Sequence, residues 1–283
     1  MTPASRDWQA CRPLWFRLPR ALRITSILAA LALAPLRPRW SFEPERIRAL
    51  ILVRDLHSAL VPLVEALLAQ GLQASHILLL DSGSTSSGCL ATLAELESRG
   101  CRWLRLSPQD QRYGPYAPWL SASLQSEIHS WHYPYLVSDP DLAVPASIPS
   151  TWLADLLTTL NRQRFVLKAA LPLAINDLTH PQAAAVIRHE QALHTHPAYR
   201  LLTRLFLSDH PGAVATTTDT TLALYRPARF FSTLSIRLPP RYQIKHLPWY
   251  NPYVNTLEYK YYQAHKLKLF GEWSSEPPAA PGP

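Results

Sequence analysis

Short apolar runs recur along the chain from about residue 48 onward. Their starts lie roughly 25 to 32 residues apart, which is the length of a β-strand followed by a helix. The five runs cover residues 49–53, 77–80, 103–106, 135–137 and 165–170. This spacing predicts five β-strands separated by helical connections.

Helical patterns fill the intervals between the runs. After the first run, leucines and valines recur at helical spacing, with Pro62 in the first turn and Gly71 as the stop signal. Ser87 can cap a helix after the second run, and Ser150 or Thr151 can open another after the fourth. Alternating strands and helices predict a single α/β domain, built on a mostly parallel central sheet with helices on both faces.

Composition divides the chain into three parts. Residues 1–46 are basic and apolar, residues 47–273 carry the α/β pattern, and residues 274–283 form a proline-rich tail that we expect to be disordered. The apolar stretch 24–36 follows Arg12, Arg17, Arg20 and Arg23, but its thirteen residues fall short of the roughly 20 that span a bilayer. The stretch fits a helix on an anionic membrane surface, a helix packed on the domain, or a signal peptide.

The basic charge is unevenly distributed. The net charge is +8, and nine arginines against three acidic residues in residues 1–48 supply +6 of it. A nucleic-acid groove needs charge along its whole binding face, so we expect no nucleic-acid partner. The three cysteines form no CxxC pair, which indicates a reducing compartment. We therefore expect a cytoplasmic protein whose membrane contact, if any, is peripheral and made by the N-terminal segment.

Glycine is scarce, and its placement excludes two kinds of phosphate site. None of the eight glycines forms GxGxxG or GxxxxGK[ST], so neither a glycine-loop dinucleotide site nor a P-loop is present. If this chain binds a phosphate, groups other than a glycine-rich loop must hold it.

Polar residues follow the predicted strands, where ligands bind in parallel sheets. The fourth run ends in Ser138, Asp139, Pro140 and Asp141. Two buried carboxylates this close repel each other unless a cation joins them, and Mg²⁺ or Mn²⁺ commonly links carboxylates to a diphosphate. The alternative interpretation is a turn with solvated carboxylates.

The first two strand ends have a similar ambiguity. Arg54 follows the first run, and Asp81 and Ser82 begin the segment DSGST after the second. This segment is ordinary turn chemistry, but its aspartate can also accept hydrogen bonds from a nucleobase or ribose.

Seven segments taken together resemble a known family. They are ILVRD, HILLLDSGST, YGP, YLVSDPDL, INDL, DTTLALYRP and HLPWY, in this order within residues 47–273. In this order they resemble family-2-like glycosyltransferases with a GT-A fold. The resemblance implies a GT-A-like (Rossmann-like) sheet, a UDP- or GDP-sugar donor, Mn²⁺ or Mg²⁺, and transfer of the sugar to a glycan or other hydroxyl acceptor with inversion.

The resemblance also implies roles for individual residues at the donor site. Asp81 would contact the nucleoside base, with Arg54 and Ser82 beside it, and Asp139 would bind the ribose or the metal. Asp141 would ligate the metal, and His246 in KHLPWY matches a late histidine that serves as a further ligand. A lone histidine is also commonly structural.

The acceptor side is less well defined. Trp249 and Tyr250 could stack on a sugar ring or simply pack. Many family-2 enzymes carry a Glu-Asp pair whose aspartate is the general base, and no such pair occurs in this chain. Asp219 or Asp177 would have to replace it, and we prefer Asp219 because uncharged threonines surround it.

Two other functions compete with a glycosyltransferase. A nucleotidyltransferase uses a related sheet, but it usually needs a glycine-rich basic loop where this chain reads RDLHSALVPL. A catalytically degenerate module that binds nucleotide sugars or glycans would explain the missing Glu-Asp pair.

Overall fold

The structure is a computed structural model that describes residues 31–180, 183–218, 220–227, 231–232 and 234–266. Residues 1–30 and the expected C-terminal tail lie outside this part of the chain, as does Asp219. The boundaries expected for the three parts of the chain therefore stay predictions.

A central sheet of eight strands organises the fold, in the order β3-β2-β1-β4-β8-β6-β9-β7. Its strands are β1 (Arg48–Val53), β2 (Ile77–Asp81), β3 (Arg102–Arg105), β4 (Tyr135–Ser138), β6 (Lys168–Ala170), β7 (Val214–Thr217), β8 (Ala223–Tyr225) and β9 (Leu234–Arg237). Two further strands, β5 (Leu142–Ala143) and β10 (Lys245–His246), pair with each other in a small separate sheet.

Ten α-helices and six short 3₁₀ helices connect the strands within the described residues. The α-helices are α1 (Leu60–Leu68), α2 (Ser87–Ser98), α3 (Pro108–Gln111), α4 (Ala117–Leu120), α5 (Ala122–Ser130), α6 (Trp152–Arg162), α7 (Ala183–Thr195), α8 (Pro197–Phe206), α9 (Asn251–Val254) and α10 (Leu257–His265). The 3₁₀ helices are Ala34–Leu36, Pro44–Arg46, Ala74–His76, Gly114–Tyr116, Pro240–Tyr242 and Leu247–Trp249.

The expected α/β architecture is confirmed. The five apolar runs correspond to β1, β2, β3, β4 and β6, and four of the seven strand pairings in the central sheet are parallel. The fifth run forms a strand only over its last three residues, because Phe165 and Val166 fill the core from the preceding turn. Helix α2 begins at Ser87, so its N-cap residue is Ser86, and the cap predicted at Ser87 is wrong by one residue.

Alternation along the strands separates two apolar cores, one on each face of the sheet. In β1, Ile51 and Val53 belong to the larger core, whereas Leu50 and Leu52 belong to the smaller one. Helices α1, α2 and α6 cover the larger core, and α4 and α5 cover the smaller one. The sheet is therefore enclosed on both faces, and its strand ends remain for chemistry. Within the described residues, no helix has both the length and the apolar character needed to cross a membrane.

A buried ion pair joins α7 to the far side of the sheet. Arg237 of β9 donates to the carboxylate of Glu190, and the two side chains are 5% and 7% exposed. Arg237 also donates to the hydroxyl of Thr218 at 3.0 Å and to the carbonyl of Thr217 at 3.0 Å. The pair therefore holds the end of β7, which leads towards residue 219.

Removing one partner of this pair should destabilise the fold strongly. We expect Glu190→Ala to lower the free energy of unfolding by about 3–5 kcal/mol, because it leaves a buried guanidinium without its counter-charge. The control, Glu127→Ala, removes the partner of Arg102 in an ion pair whose side chains are 26% and 48% exposed, and it should cost about 0–1 kcal/mol. Urea unfolding followed by circular dichroism measures both, and equal losses would contradict the difference in burial.

Candidate functional site

The small β5–β10 sheet brings two distant parts of the chain together. Asp141 comes directly after the turn that ends β4, and β5 begins at the next residue. The antiparallel register aligns His246 with Leu142, and the amide of Leu247 donates to the carbonyl of Asp141 at 2.9 Å. As a result, His246 Nε2 lies 3.5 Å from Asp141 Oδ2.

His246 is held between acidic and aromatic neighbours. Its side chain is 17% exposed, and its ring packs edge-on against Trp249 with centroids 4.9 Å apart. Burial acts to lower the pKa of His246, but the carboxylates of Asp141, Asp139 and Glu190 outweigh it and raise that pKa above its ordinary value. The protonated, positively charged form of His246 is therefore favoured beside the Asp141 carboxylate, which shows that this buried carboxylate stabilises a cation next to it.

The Asp141–His246 pair retains unused ligand atoms. Asp141 Oδ1 and His246 Nδ1 are both buried without a hydrogen-bond partner. A carboxylate oxygen and an imidazole nitrogen suit Mn²⁺, and carboxylate oxygens suit Mg²⁺. In the described part of the chain, no three His, Cys, Asp or Glu side chains form one metal-binding group. Diphosphate oxygens and water commonly complete the ligand set of these ions when the protein supplies few ligands.

Asp139 has a different environment from Asp141. Its Oδ1 accepts a hydrogen bond from the hydroxyl of Thr220 at 2.7 Å, and its backbone carbonyl accepts one from Ser138. Thr220 follows Asp219, the preferred general base, which lies outside the described residues. Thr218, on the other side of residue 219, exchanges a hydrogen bond with Ser235 at 2.7 Å. The two residues that flank residue 219 therefore contact β9 and Asp139, respectively.

The loops after β1 and β2 place the predicted donor residues side by side. Asp81 is fully buried, and its Oδ1 accepts from the amides of Gly83 at 3.0 Å and Ser84 at 2.6 Å. Its Oδ2 lies 3.3 Å from the Arg105 guanidinium. Arg54 donates to the carbonyl of Ser82, which fixes one loop against the other.

Asp55, which the sequence interpretation passed over, ties these two loops together. It is fully buried, and its Oδ1 accepts from the amides of Thr85 at 2.6 Å and Ser86 at 2.7 Å, just before α2. Its own amide donates to the hydroxyl of Ser84 at 3.0 Å. Asp55 has φ +53°, a left-handed conformation that aspartate and asparagine tolerate better than most residues. An acidic residue two positions after a buried strand was the only signal in the sequence.

Helix α10 covers the same loops from the C-terminal side. Glu258 accepts from the amides of His57 and Ser58, and Tyr261 exchanges a hydrogen bond with Thr85 at 3.0 Å. Burial raises the pKa of Tyr262, and the carboxylate of Asp141 raises it further, so Tyr262 lies within electrostatic range of Asp141. The C-terminal helix therefore closes one side of the candidate site, and Glu258 is a second residue that the sequence interpretation missed.

The residues predicted for the acceptor side are engaged with one another. Asp177 is half exposed and lies 2.5 Å from Lys245 Nζ, and it accepts a hydrogen bond from the Tyr250 hydroxyl at 2.8 Å. The hydrogen bonds from Lys245 and Tyr250 lower the pKa of Asp177. Tyr250 is buried and Trp249 packs partly against the larger core, so both aromatic residues pack in the structure.

Two surface cavities lie away from the Asp141–His246 pair. One, of about 350 Å³, is lined by Arg39, Thr158, Asn161 and Arg162. The other, of about 320 Å³, shares Thr158 and Arg162 with it and extends past His210. Neither cavity is lined by a residue of the candidate site.

The sequence matches no family model and no curated protein. Among solved structures, the chain is similar to the mannosyltransferase PcManGT from Pyrobaculum calidifontis in complex with GDP-Man and Mn²⁺, at 13% identity and a TM-score of 0.36, over 79% of this chain and 56% of that one. It is also similar to glucosyl-3-phosphoglycerate synthase from Mycobacterium tuberculosis in complex with phosphoglyceric acid, at 14% identity and a TM-score of 0.35, over 68% and 62% of the two chains.

A third similar structure is S. aureus TarS 1-349, at 10% identity and a TM-score of 0.43, over 71% of this chain and 60% of that one. The match spans less than two thirds of the length of each of these three structures.

Replacing Asp55 should loosen the loops of the candidate site. We expect Asp55→Ala to lower the free energy of unfolding by about 2–4 kcal/mol, because the backbone amides of Thr85 and Ser86 lose a buried charged acceptor and alanine is strained at positive φ. Asp55→Asn keeps an oxygen acceptor and tolerates the same φ, so its loss should be smaller. Chemical unfolding measures both, and a loss below about 1 kcal/mol for Asp55→Ala would contradict this role.

Proposed function

We propose that this chain is a GT-A-type glycosyltransferase that moves a sugar from a nucleotide-diphosphate sugar to a hydroxyl acceptor. The observation that carries the proposal is the approach of His246 to Asp141 at the end of β4, next to loops built around Asp55 and Asp81. This arrangement combines a cation-binding pair with buried acceptors suited to a nucleoside. The sequence resemblance supports the same assignment and the choice of a UDP- or GDP-sugar donor.

The donor would lie across the carboxyl ends of β1, β2 and β4. In this proposal Asp81 accepts a hydrogen bond from the base, with Arg54 and Ser82 beside it, and Asp139 contacts the ribose or the metal. Two buried atoms support these roles, since Arg54 Nε has no hydrogen-bond partner and Asp81 Oδ2 accepts no hydrogen bond, although the Arg105 guanidinium lies 3.3 Å from it. A ligand group that supplied those bonds would remove the cost of leaving them unmade.

Asp141 and His246 would hold Mn²⁺ or Mg²⁺, with Asp139 as a further ligand. Bound there, the cation would neutralise the donor diphosphate and stabilise its departure. The unpartnered oxygen of Asp141 and the unpartnered nitrogen of His246 support this set. Asp139 supports it less directly, because Thr220 already donates to one of its oxygens.

The transfer needs a carboxylate that accepts the acceptor's proton. The hydroxyl oxygen of the acceptor forms a bond to the anomeric carbon on the face opposite the diphosphate, the bond from that carbon to the diphosphate oxygen breaks, and the hydroxyl proton moves to the carboxylate. The sugar is therefore transferred with inversion. We favour Asp219 over Asp177 as the base, because the hydrogen bonds that lower the pKa of Asp177 also make it a weaker proton acceptor.

The acceptor would enter beside Trp249 and Tyr250. Trp249 keeps part of its side chain accessible next to His246, which supports a role in contacting a sugar ring. Tyr250 donates its hydroxyl to Asp177, so its role would be to shape this side of the site.

A degenerate module that binds nucleotide sugars without transferring them is the second candidate. The lack of any Glu-Asp pair favours it. A nucleotidyltransferase is less favoured, because the segment after β1 has no glycine. We also propose peripheral membrane contact through residues 1–46.

Donor binding should depend on Asp141. We expect UDP-glucose or GDP-mannose with Mn²⁺ to raise the melting temperature of the protein, since a ligand at 100 times its Kd adds about 2.7 kcal/mol to the free energy of unfolding. Asp141→Ala should abolish the shift, whereas Asp209→Ala, which changes an exposed aspartate elsewhere, should retain it. Thermal-shift measurements with and without Mn²⁺ test this, and an undiminished shift in Asp141→Ala would reject the metal site.

The general base can be identified from turnover in the presence of intact donor binding. We expect Asp219→Asn to lower kcat by about 10²- to 10⁴-fold while the donor-induced thermal shift remains, because the variant loses only the proton acceptor. Asp177→Asn should lower kcat far less. Release of nucleoside diphosphate measures both variants, and the reverse order of effects would assign the base to Asp177.

A further inference from the structure

Two segments expose large apolar side chains on one side of the molecule. Leu33 and Leu36, at the end of the apolar stretch 24–36, are 53% and 80% exposed. On α8, Leu201 and Leu205 are 56% and 60% exposed, and Phe206 follows them. Exposed leucines one helical turn apart form a stripe, and such a stripe usually marks an interaction surface.

The turn after α6 holds these two segments next to each other. Gln163 donates to the carbonyl of Phe206 at 2.7 Å, and the rings of Phe165 and Phe206 lie 4.9 Å apart. One residue along, Arg164 donates to the carbonyl of Pro35 at 2.9 Å. We call the exposed parts of residues 31–39, 160–166 and 197–210 the leucine–arginine face.

The face carries a strong positive charge. These three segments contain six arginines and one acidic residue, Asp209. In the described part of the chain, Arg37, Arg164 and the buried Arg226 donate to backbone carbonyls, and none of them forms an ion pair with a carboxylate. Burial and the nearby charges of Arg37 and Arg164 lower the pKa of Arg226 to about 9, which indicates that positive charge accumulates here.

The 350 Å³ cavity lies within the same face. Arg39 and Arg162 line it together with Thr158 and Asn161. Guanidinium groups bind phosphate oxygens through paired N–H donors, so this cavity suits the phosphate of a lipid headgroup.

We propose that the leucine–arginine face docks on an anionic membrane leaflet, with its leucines at the level of the acyl chains and its arginines against the headgroup phosphates. Leucines bordered by arginines are the composition of interfacial helices. The apolar stretch 24–36 adjoins the face in the sequence, and an anionic leaflet offers an apolar layer for the leucines beside phosphates for the arginines, which favours a membrane over an acidic protein as the partner. The proposal extends the membrane contact proposed for residues 1–46 to α8.

Vesicle co-sedimentation of the full chain tests this docking. We expect binding to phosphatidylcholine vesicles that contain about a third phosphatidylglycerol, and little binding to phosphatidylcholine alone, since each arginine near an anionic surface adds several-fold to affinity. Leu201→Ser/Leu205→Ser and Arg200→Gln/Arg204→Gln should each lower the affinity about tenfold or more. All four side chains are exposed, so the melting temperatures should stay unchanged.

A matched control tests whether the loss of any exposed leucine, rather than of a leucine in this face, weakens binding to vesicles. Leu257→Ser changes a leucine that is 85% exposed on α10, and it should bind vesicles like the unchanged protein. If the α8 variants also bind normally while Leu33→Ser/Leu36→Ser does not, the role of α8 is overturned. Failure of the unchanged protein to bind anionic vesicles overturns the membrane proposal and points to an acidic protein partner. The donor-induced thermal shift, measured without vesicles, reports on the transferase proposal independently.

Discussion

The candidate site depends on one short antiparallel pairing, in which two residues of β10 align with two residues of β5. Without it, the carboxylate of Asp141 would be buried at the end of β4 with no cationic partner, and an unpaired buried charge costs several kcal/mol. The pairing supplies His246, whose raised pKa favours the charged form beside the carboxylate. The pairing of two strands of two residues each therefore determines whether the Asp141 carboxylate can be buried after β4 with a positive charge beside it.

Carboxylates rather than glycines organise the loops around this pair. Asp55, Asp81 and Glu258 each accept hydrogen bonds from two backbone amides of a loop at the sheet edge. A charged acceptor forms stronger bonds to amides than a neutral one does, and each such bond fixes two backbone positions. In a glycine-loop site the amides are free to bind a phosphate, whereas here they are already occupied. In the proposed function, a cation at the Asp141–His246 pair would therefore take the place of a glycine loop in holding the diphosphate.

The sequence predicted the first half of the sheet better than the second. The runs that became β1, β2 and β4 are continuous and apolar because both faces of these strands are buried, whereas β3 is a partly exposed edge strand with an arginine at each end. The strands β7, β8 and β9 are only three or four residues long, and two of the four residues of β7 are threonines. The sequence therefore shows no regularly spaced apolar runs at these strands. The meeting of His246 and Asp141 rests on a long-range register that periodicity does not encode, and it was anticipated only through the order of motifs.

The residues that sequence reasoning missed share a physical property. Asp55 and Glu258 accept hydrogen bonds from backbone amides. Because every residue except proline has such an amide, the residue types in the sequence do not indicate which amides these carboxylates bind. Asp139 and Asp141 were found because two acids after an apolar run are unusual. Thr220, which donates to Asp139, had no comparable signal.

One side of helix α8 is exposed on the leucine–arginine face, and its other side packs against the central sheet. Its exposed side carries Leu201 and Leu205, while on its inner side Leu202 is buried and the hydroxyl of Thr203 accepts from the amide of Ala215 in β7 at 2.9 Å. Strand β7 ends at Thr217, three residues before Thr220, which donates to Asp139. Local opening of a helix breaks the contacts that it makes with its neighbours. A membrane or partner that binds the exposed side of α8 therefore also stabilises the contact between α8 and β7. Strand β7 lies a few residues before Thr220, which contacts the candidate site.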